Sequence, residues 1–299
     1  MKVIVTGGVG FVGTNLIKRL LKDGNEVVSL DNYSTGKKEN EQDGCKYIDV
    51  DISDSLRRHK GFGLEQYKLE KPDIIYHLGA LARIQPSLKK PVKTIKNNFV
   101  STLHILDYAR EKGIPVVYAG SSTFHHGLWG SPYAWSKHSG EQLCELYTKV
   151  FGLRTSICRF YNVYGEHQLE DGAYSTVVGI FQKLYREGKP LTVTGDGEQR
   201  RDFTHINDIV EALTKMGDGL LGTESSLING ETFELGRGKN FSINELAKMF
   251  GETEVEYIPA RDGEYDYTLA DSSKAKKLLG WNPTLDISDY ISDIIDDKS

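Results

Sequence analysis

Cysteine is scarce: the 299 residues hold only Cys45, Cys144 and Cys158, an odd number without CxxC spacing. This excludes a disulfide framework and a cysteine-built metal site, so no metal is expected and a reducing, cytoplasmic setting is expected. Long apolar runs are also missing. No stretch reaches 18 apolar residues, and Met1-Lys2 leads straight into Val3-Ile4-Val5 without a signal-like apolar region, so neither membrane insertion nor secretion is expected. Nor is there an excess of positive charge. Lys and Arg number 37 against 42 Asp and Glu, whereas a nucleic-acid binder needs a basic face. Charge runs are short, and Lys37-Lys38 and Asp296-Asp297 read as solvated ends. What remains is a chain with 38% hydrophobic residues, enough for a sizeable core, whose expected partner is a small molecule.

In the first half, short β-branched runs alternate with amphipathic stretches, as in βαβ units. The pattern predicts strands at 2–6, 26–30, 46–50, 73–78, 116–119 and 155–160. A helix over 15–22 carries Leu16, Leu20 and Leu21 on one face and stops at Gly24. A longer helix is expected over 92–112. Another opens at Ser131-Pro132, with serine as N-cap and proline at the first helical position, and aligns Leu143, Leu146, Tyr147 and Val150. After Glu166 the rhythm becomes mixed, although 206–216 and 232–235 read as a helix and a strand that return to the first sheet. The expected fold is α/β: a doubly wound parallel sheet of Rossmann type over 1–166, with a returning segment at 206–236. Residues 167–299 are expected to form a smaller mixed α/β domain that binds substrate.

Two constellations carry chemistry. Thr6-Gly7-Gly8-Val9-Gly10-Phe11-Val12-Gly13 follows a strand and opens a helix, the setting in which glycines let backbone N–H groups approach a pyrophosphate. Asp31, at the end of the second strand, would accept ribose hydroxyls and repel a 2′-phosphate, which favours NAD. Tyr133 and Lys137 lie one helical turn apart. That spacing recurs at Tyr33/Lys37, Tyr67/Lys71, Tyr108/Lys112 and Tyr185/Lys189, so spacing alone proves nothing. Position separates Tyr133 from the others, because it begins the helix after the fifth strand, whose end carries Ser121-Ser122-Thr123. Groups at the carboxyl ends of parallel strands face the ligand crevice. A neighbouring ammonium together with an oxidised nicotinamide would then favour the phenolate of Tyr133, making it a base, with Ser122 on the same substrate hydroxyl.

With these motifs, and with His77-Leu78-Gly79-Ala80, Arg159-Phe160-Tyr161-Asn162-Val163-Tyr164-Gly165 and Arg261-Asp262-Gly263-Glu264, the chain resembles the extended short-chain dehydrogenase/reductases. Within them it resembles the nucleotide-sugar epimerases of the UDP-glucose 4-epimerase type. The resemblance implies NAD as cofactor. Gly7, Gly10, Phe11 and Val12 would meet its phosphates, and Asp31 and Asn32 its ribose. Asp51 and Ile52 would meet the adenine, while Leu78, Gly79, Ala80, Asn98, Tyr133, Lys137 and Tyr161 would complete the site. It implies Ser122, Tyr133 and Lys137 as the catalytic set. Substrate would meet Ser122, Thr123, Asn162, Val193, Arg201, Arg261, Glu264 and Thr268, the arginines taking the diphosphate. A homodimer through the 92–112 and 133–150 helices is also implied.

Related dehydratases and decarboxylases carry a Glu shortly after the catalytic Ser or Thr. Counting back from Gly127 places Phe124 there, so epimerisation by transient C4 oxidation is the expected reaction. A 4-keto-sugar reductase, a 4,6-dehydratase, a UDP-glucuronate decarboxylase and a non-catalytic dinucleotide sensor are the alternatives. Three departures stand out. The loop 128–132 is short, with Trp129 and Trp135 expected to fill the gap. His125 and His126 replace a Val-Tyr pair and, being adjacent, should diverge. Thr268 stands where glucose-only epimerases have a tyrosine, which predicts room for N-acetylhexosamines.

Overall fold

The computed structural model describes residues 1–57, 69–261, 263 and 265–297. Seven parallel strands form the main sheet: β1 (Lys2–Thr6), β2 (Glu26–Asp31), β3 (Cys45–Asp49), β4 (Ile74–His77), β5 (Val116–Ser121), β6 (Thr155–Phe160) and, arriving late in the chain, β10 (Thr232–Leu235). Their order is β10-β6-β5-β4-β1-β2-β3. β4 and β5 are buried along their whole length, as a parallel sheet covered on both faces requires. One face is covered by α1 (Phe11–Lys22) and α7 (Ile206–Leu221), which bury Leu16, Leu20, Ile209, Leu213 and Met216 against Val3, Val5 and Ile74. The other is covered by α4 (Ser101–Lys112) and α5 (Pro132–Phe151), with Ile105, Leu106, Cys144 and Tyr147 on Ile4, Ile75 and Val116.

The chain steps outward from β1 to β2 and β3, then crosses back to β4 on the other side of β1. The order therefore reverses between β1 and β4, and their ends, Thr6 and His77, are partners in register. In such sheets the ligand crevice opens at this reversal. His77 braces it: Nδ1 lies 2.7 Å from Thr6 Oγ1 and Nε2 lies 3.0 Å from Thr102 Oγ1, while Thr6 Oγ1 also accepts the Gly79 N–H. Burial pushes the imidazole down to about 3, so the ring is a neutral strut.

The rest of the chain packs around a third apolar cluster that includes Phe181, Leu191, Phe203, Leu246 and Ile291. It contains β7 (Asn162–Tyr164), α6 (Val177–Arg186), β8 (Leu191–Thr194), β9 (Arg200–His205), β11 (Asn240–Ser242), α8 (Ile243–Lys248), β12 (Val255–Ile258) and α10 (Ile287–Asp296). β11, β9 and β7 form one small sheet, and β12 with β8 another. α9 (Ser273–Leu279) returns to lie on β10 and α7, beside the wholly buried Trp281.

Two expectations change. The helix expected over 92–112 is interrupted: α2 (Ile84–Lys89) and α3 (Pro91–Ile95) precede a π turn at Lys96–Val100, and only then does α4 run straight. The wider turn carries Asn98, whose amide must reach both backbone groups of Leu81. On α5, Leu146 and Val150 are exposed, so only part of the predicted apolar face is covered within the chain. Among the described residues no helix is long and apolar enough to cross a membrane, and no cluster of His, Cys, Asp or Glu is arranged to hold a metal ion.

Candidate functional site

A cavity of about 1030 Å³ runs over the carboxyl ends of β1, β2, β4 and β5 and on to the elements around the third apolar cluster. That is the upper end of the range for small-ligand sites and suits two ligands lying end to end. Its first end is the glycine turn. Gly7 sits at φ 73°, and a Cβ there would lie 2.8 Å from Gly79 Cα; a Cβ on Gly13 would lie 2.1 Å from the Gly7 carbonyl oxygen. By contrast, a Cβ on Gly10 would meet only the Gly7 oxygen at 3.2 Å, so that glycine faces open space. α1 begins here without a side-chain cap and without an acid in its first turn. Its first N–H groups and the positive end of its dipole are left for an anion, which is how a dinucleotide pyrophosphate is held.

Asp31 closes this end. Its Oδ2 accepts the Val9 N–H at 3.1 Å and its Oδ1 accepts the Tyr33 N–H at 2.8 Å, tying the glycine turn to the end of β2. Burial raises the carboxyl against the pull of those N–H donors. Asn32, Ile52, Leu78 and Ala80 also line the cavity. Lys37 and Lys38 are exposed and lie outside the lining. These residues fit NAD on the molecule's own evidence: an uncapped helix, a turn that only glycine can make, and a carboxylate where the ribose would lie.

Midway along the cavity, the N-terminus of α5 presents Tyr133. Ser131 caps the helix by accepting the Ala134 N–H at 3.1 Å, which fixes the first turn and aims the phenol back across the end of β5. The hydroxyl in contact with Tyr133 Oη is Ser121, at 3.3 Å, with Ser122 and Thr123 alongside it on the cavity wall. Of the three hydroxyls at this strand end the motif points to Ser122, whereas the strand runs on to Ser121 and places that hydroxyl on the phenol.

Burial dominates and raises the phenol of Tyr133, the Ser121 hydrogen bond and the Arg83 guanidinium opposing it and Glu141 adding to it. Lys137 lies beneath, 5% exposed, with its Nζ 4.7 Å from the Tyr118 ring centroid, and burial lowers it to about 8. The cation acting on the phenol is Arg83, which sequence reasoning missed. It sits six residues past the end of β4 and shares the cavity wall with Tyr133.

At the far end, Asn162, Arg201, Arg261 and Thr268 line the wall. Asn162 Nδ2 donates to Thr268 Oγ1 and to the Asp202 carbonyl, both at 3.3 Å. Asp202 is wholly buried, and its carboxylate accepts the N–H groups of Arg237, Gly238 and Ala270 at 2.8–3.0 Å, pinning three segments together. Arg200 is held away from the cavity by Asn240 and Glu245.

Other candidates are placed differently. Val193 faces the third core because β8 alternates, leaving Thr192 and Thr194 on the wall. Asn98 is spent on Leu81 and on Ser136 Oγ at 2.9 Å, and Asn97 lines the cavity instead. Asp51 turns its carboxylate onto Ser53, capping the turn that follows β3. Tyr161 lines the wall, its hydroxyl donating to Glu234 at 2.6 Å. Glu264 lies outside the described residues. The two histidines do diverge: His125 meets Glu234 at 2.5 Å, and His126 stacks on Tyr265 with centroids 3.7 Å apart. Trp129 is 83% exposed, so it does not fill the space beside the short loop; Tyr265 approaches Gly130 there instead.

Comparisons with known proteins agree with this geometry. Residues 3–221 match the model of the NAD dependent epimerase/dehydratase family. The chain is 30% identical to UDP-glucose 4-epimerase of Mycolicibacterium smegmatis, over 99% of this chain and 98% of that one. Its structure is similar to that of the UDP-glucose 4-epimerase of Thermotoga maritima determined with UDP-glucose, with TM-score 0.88, 26% identity, and 99% and 98% of the two chains covered. It is also similar to the UDP-glucuronic acid 4-epimerase of Bacillus cereus determined with UDP-glucuronic acid and NAD, with TM-score 0.83, 30% identity and both chains covered in full.

Proposed function

Starting from a chain that belongs to the NAD dependent epimerase/dehydratase family, and is therefore an NAD-dependent enzyme, we propose that it inverts C4 of a UDP-hexose of the glucose/galactose type. The observation that carries this reading is a half-buried phenol on a serine hydroxyl with, among the described residues, no carboxylate beside it. Among the described lining residues the acids are Asp31, Glu170 and Asp171. Glu170 is paired with Arg186 and Asp171 with Lys183, both on the outer loop. Phe124, where a lyase of this family would place its Glu, lies under the Arg159 guanidinium at 3.3 Å. Elimination lacks its acid, whereas epimerisation needs only one group to take and return a proton.

In this reading residues 1–166 and 206–236 hold the cofactor, and 167–299 hold the nucleotide sugar. When bound, NAD supplies reversible oxidation of the carbon that bears the hydroxyl. Tyr133 Oη takes the proton from the C4 hydroxyl and returns it to the same oxygen after the sugar has turned over. Ser121 orients the phenol, and Ser122 and Thr123 offer hydroxyls to the sugar. Lys137 supplies an ammonium beneath the cofactor. Gly7, Gly10, Phe11, Val12 and Asp31 hold the dinucleotide. Asn162, Arg201 and Arg261 take the nucleotide diphosphate, the guanidinium fork matching phosphate oxygens. Thr268 is small and leaves space for a C2 acetamido group, so UDP-N-acetylhexosamines are accepted as well.

The exposed Val92, Leu146, Val150 and Phe151 support pairing of two copies through α5 and the α3–α4 region. A dimer by light scattering is the expected result. The test of function is proton NMR of UDP-glucose, UDP-galactose and UDP-N-acetylglucosamine incubated with the protein and catalytic NAD. The 4-epimer should accumulate without net cofactor reduction. A 4-keto product, released carbon dioxide or stoichiometric NADH consumption would overturn the proposal.

A further inference from the structure

We propose that Arg83 is a specificity residue that binds a carboxylate on the hexose, so that the preferred sugar is a hexuronic acid. The inference rests on the epimerase reading for its chemistry and replaces the neutral hexose of that reading with its C6-oxidised form as the preferred substrate. Arg83 lines the cavity on the same stretch of wall as Tyr133, at the end where the sugar must lie for the phenol to act. Among the described residues its one hydrogen bond runs from Nε to the Tyr174 carbonyl at 3.2 Å, and no carboxylate pairs with it. That contact ties the guanidinium at Nε and leaves its two terminal nitrogens, the pair suited to a carboxylate, without a hydrogen bond among the described residues, on a side chain exposed at the cavity wall.

Two further observations support a built site. Arg83 has φ 114° and ψ 139°, a backbone conformation costly for any residue but glycine, and such strain persists where the surroundings hold a side chain in a required place. The lining acids point the same way: those described are already met by Arg186, Lys183 and backbone donors, so the Arg83 cation beside the phenol is left for the sugar, where a uronate answers it and a neutral hexose does not. The rival role for Arg83 is to stabilise the phenolate of Tyr133, which it also faces.

The experiment measures kcat/KM for UDP-glucuronate and UDP-glucose in the wild-type protein, Arg83→Ala and Arg83→Lys, across pH. The expected wild-type preference is for UDP-glucuronate by ~10-fold or more. In Arg83→Ala that ratio should fall by roughly 30- to 100-fold, with Arg83→Lys intermediate because it keeps the charge and loses the fork. An equal loss on both sugars, with the acidic limb moving to higher pH, would assign Arg83 to the phenol and overturn the proposal. So would a wild-type preference for UDP-glucose. If Arg83→Ala does not fold, calorimetric binding of the two nucleotide sugars to the wild type and Arg83→Lys decides the matter by the same ratio. Release of carbon dioxide with a UDP-pentose product would uphold the carboxylate contact while overturning the epimerase reading.

Discussion

The two ends of the cavity are built by different means. The glycine end is local: one turn of chain, one helix start and one strand-end carboxylate, with Val9 bonded to an acid only 22 residues away. The sugar end is assembled across long spans. Arg83 reaches Tyr174 over 91 residues, and Asn162 reaches Thr268 over 106. The sheet prefabricates the first end, because adjacent parallel strands must end side by side. The second depends on loops that meet only after both layers have packed, so its chemistry varies while the cradle stays the same.

Several perturbations would break or sharpen this contrast. The largest effect is expected from Tyr133→Phe, which removes the proton carrier at the border between the ends. We expect kcat to fall by roughly 10³- to 10⁴-fold with NAD still bound, read by steady-state kinetics and by cofactor content after gel filtration. Loss of NAD binding in this variant would show that the ends are not separable.

Asp202→Ala comes next. It leaves three N–H groups, that of Ala270 buried and those of Arg237 and Gly238 partly so, without their acceptor and should cost about 1–3 kcal/mol in denaturant unfolding. Because the carboxylate also holds the Ala270 N–H, two residues past Thr268, KM for the nucleotide sugar should rise several-fold while NAD affinity is unchanged. A change in NAD affinity would contradict the division.

The smallest effect on stability is expected from Lys137→Met, and its sign is opposite. The folded value for Lys137 is about 8, below its ordinary value, so burying the ammonium costs stability in full below pH 8, and the cost fades as pH rises toward the unfolded value near 10.5. The methionine variant should therefore be more stable by about 2–3 kcal/mol at pH 7, with the difference vanishing near pH 10.5, and it should be inactive. Thermal unfolding across pH tests this, and destabilisation at pH 7 would show that the ammonium is better compensated than its setting on Tyr118 indicates.

Legibility followed the same division. The glycine turn, Asp31, the six early strands and the Ser131 cap could be read in advance because each is a short-range pattern with one physical explanation. The strand ends were less secure, and two residues at the end of β5 decided whether Ser121 or Ser122 touches the phenol. Asn98 and Val193 were placed by motif, but a buried amide takes whatever backbone groups lie nearest, and a strand residue faces the side its register dictates. Arg83 carried no sequence signal beyond being a charged residue in a loop after a strand.

By itself, the order of residues determined that a parallel sheet would form, where its strand order would open a crevice, and that glycine and aspartate at that opening would suit a dinucleotide. Hydrophobic periodicity and backbone freedom act within a few residues, so they are written locally. Only tertiary packing decided which hydroxyl meets Tyr133, that burial raises that phenol, and that Arg83 stands beside it with no acid paired to it among the described residues. Those outcomes depend on distances and desolvation between segments far apart in the chain, and no spacing along the sequence encodes them.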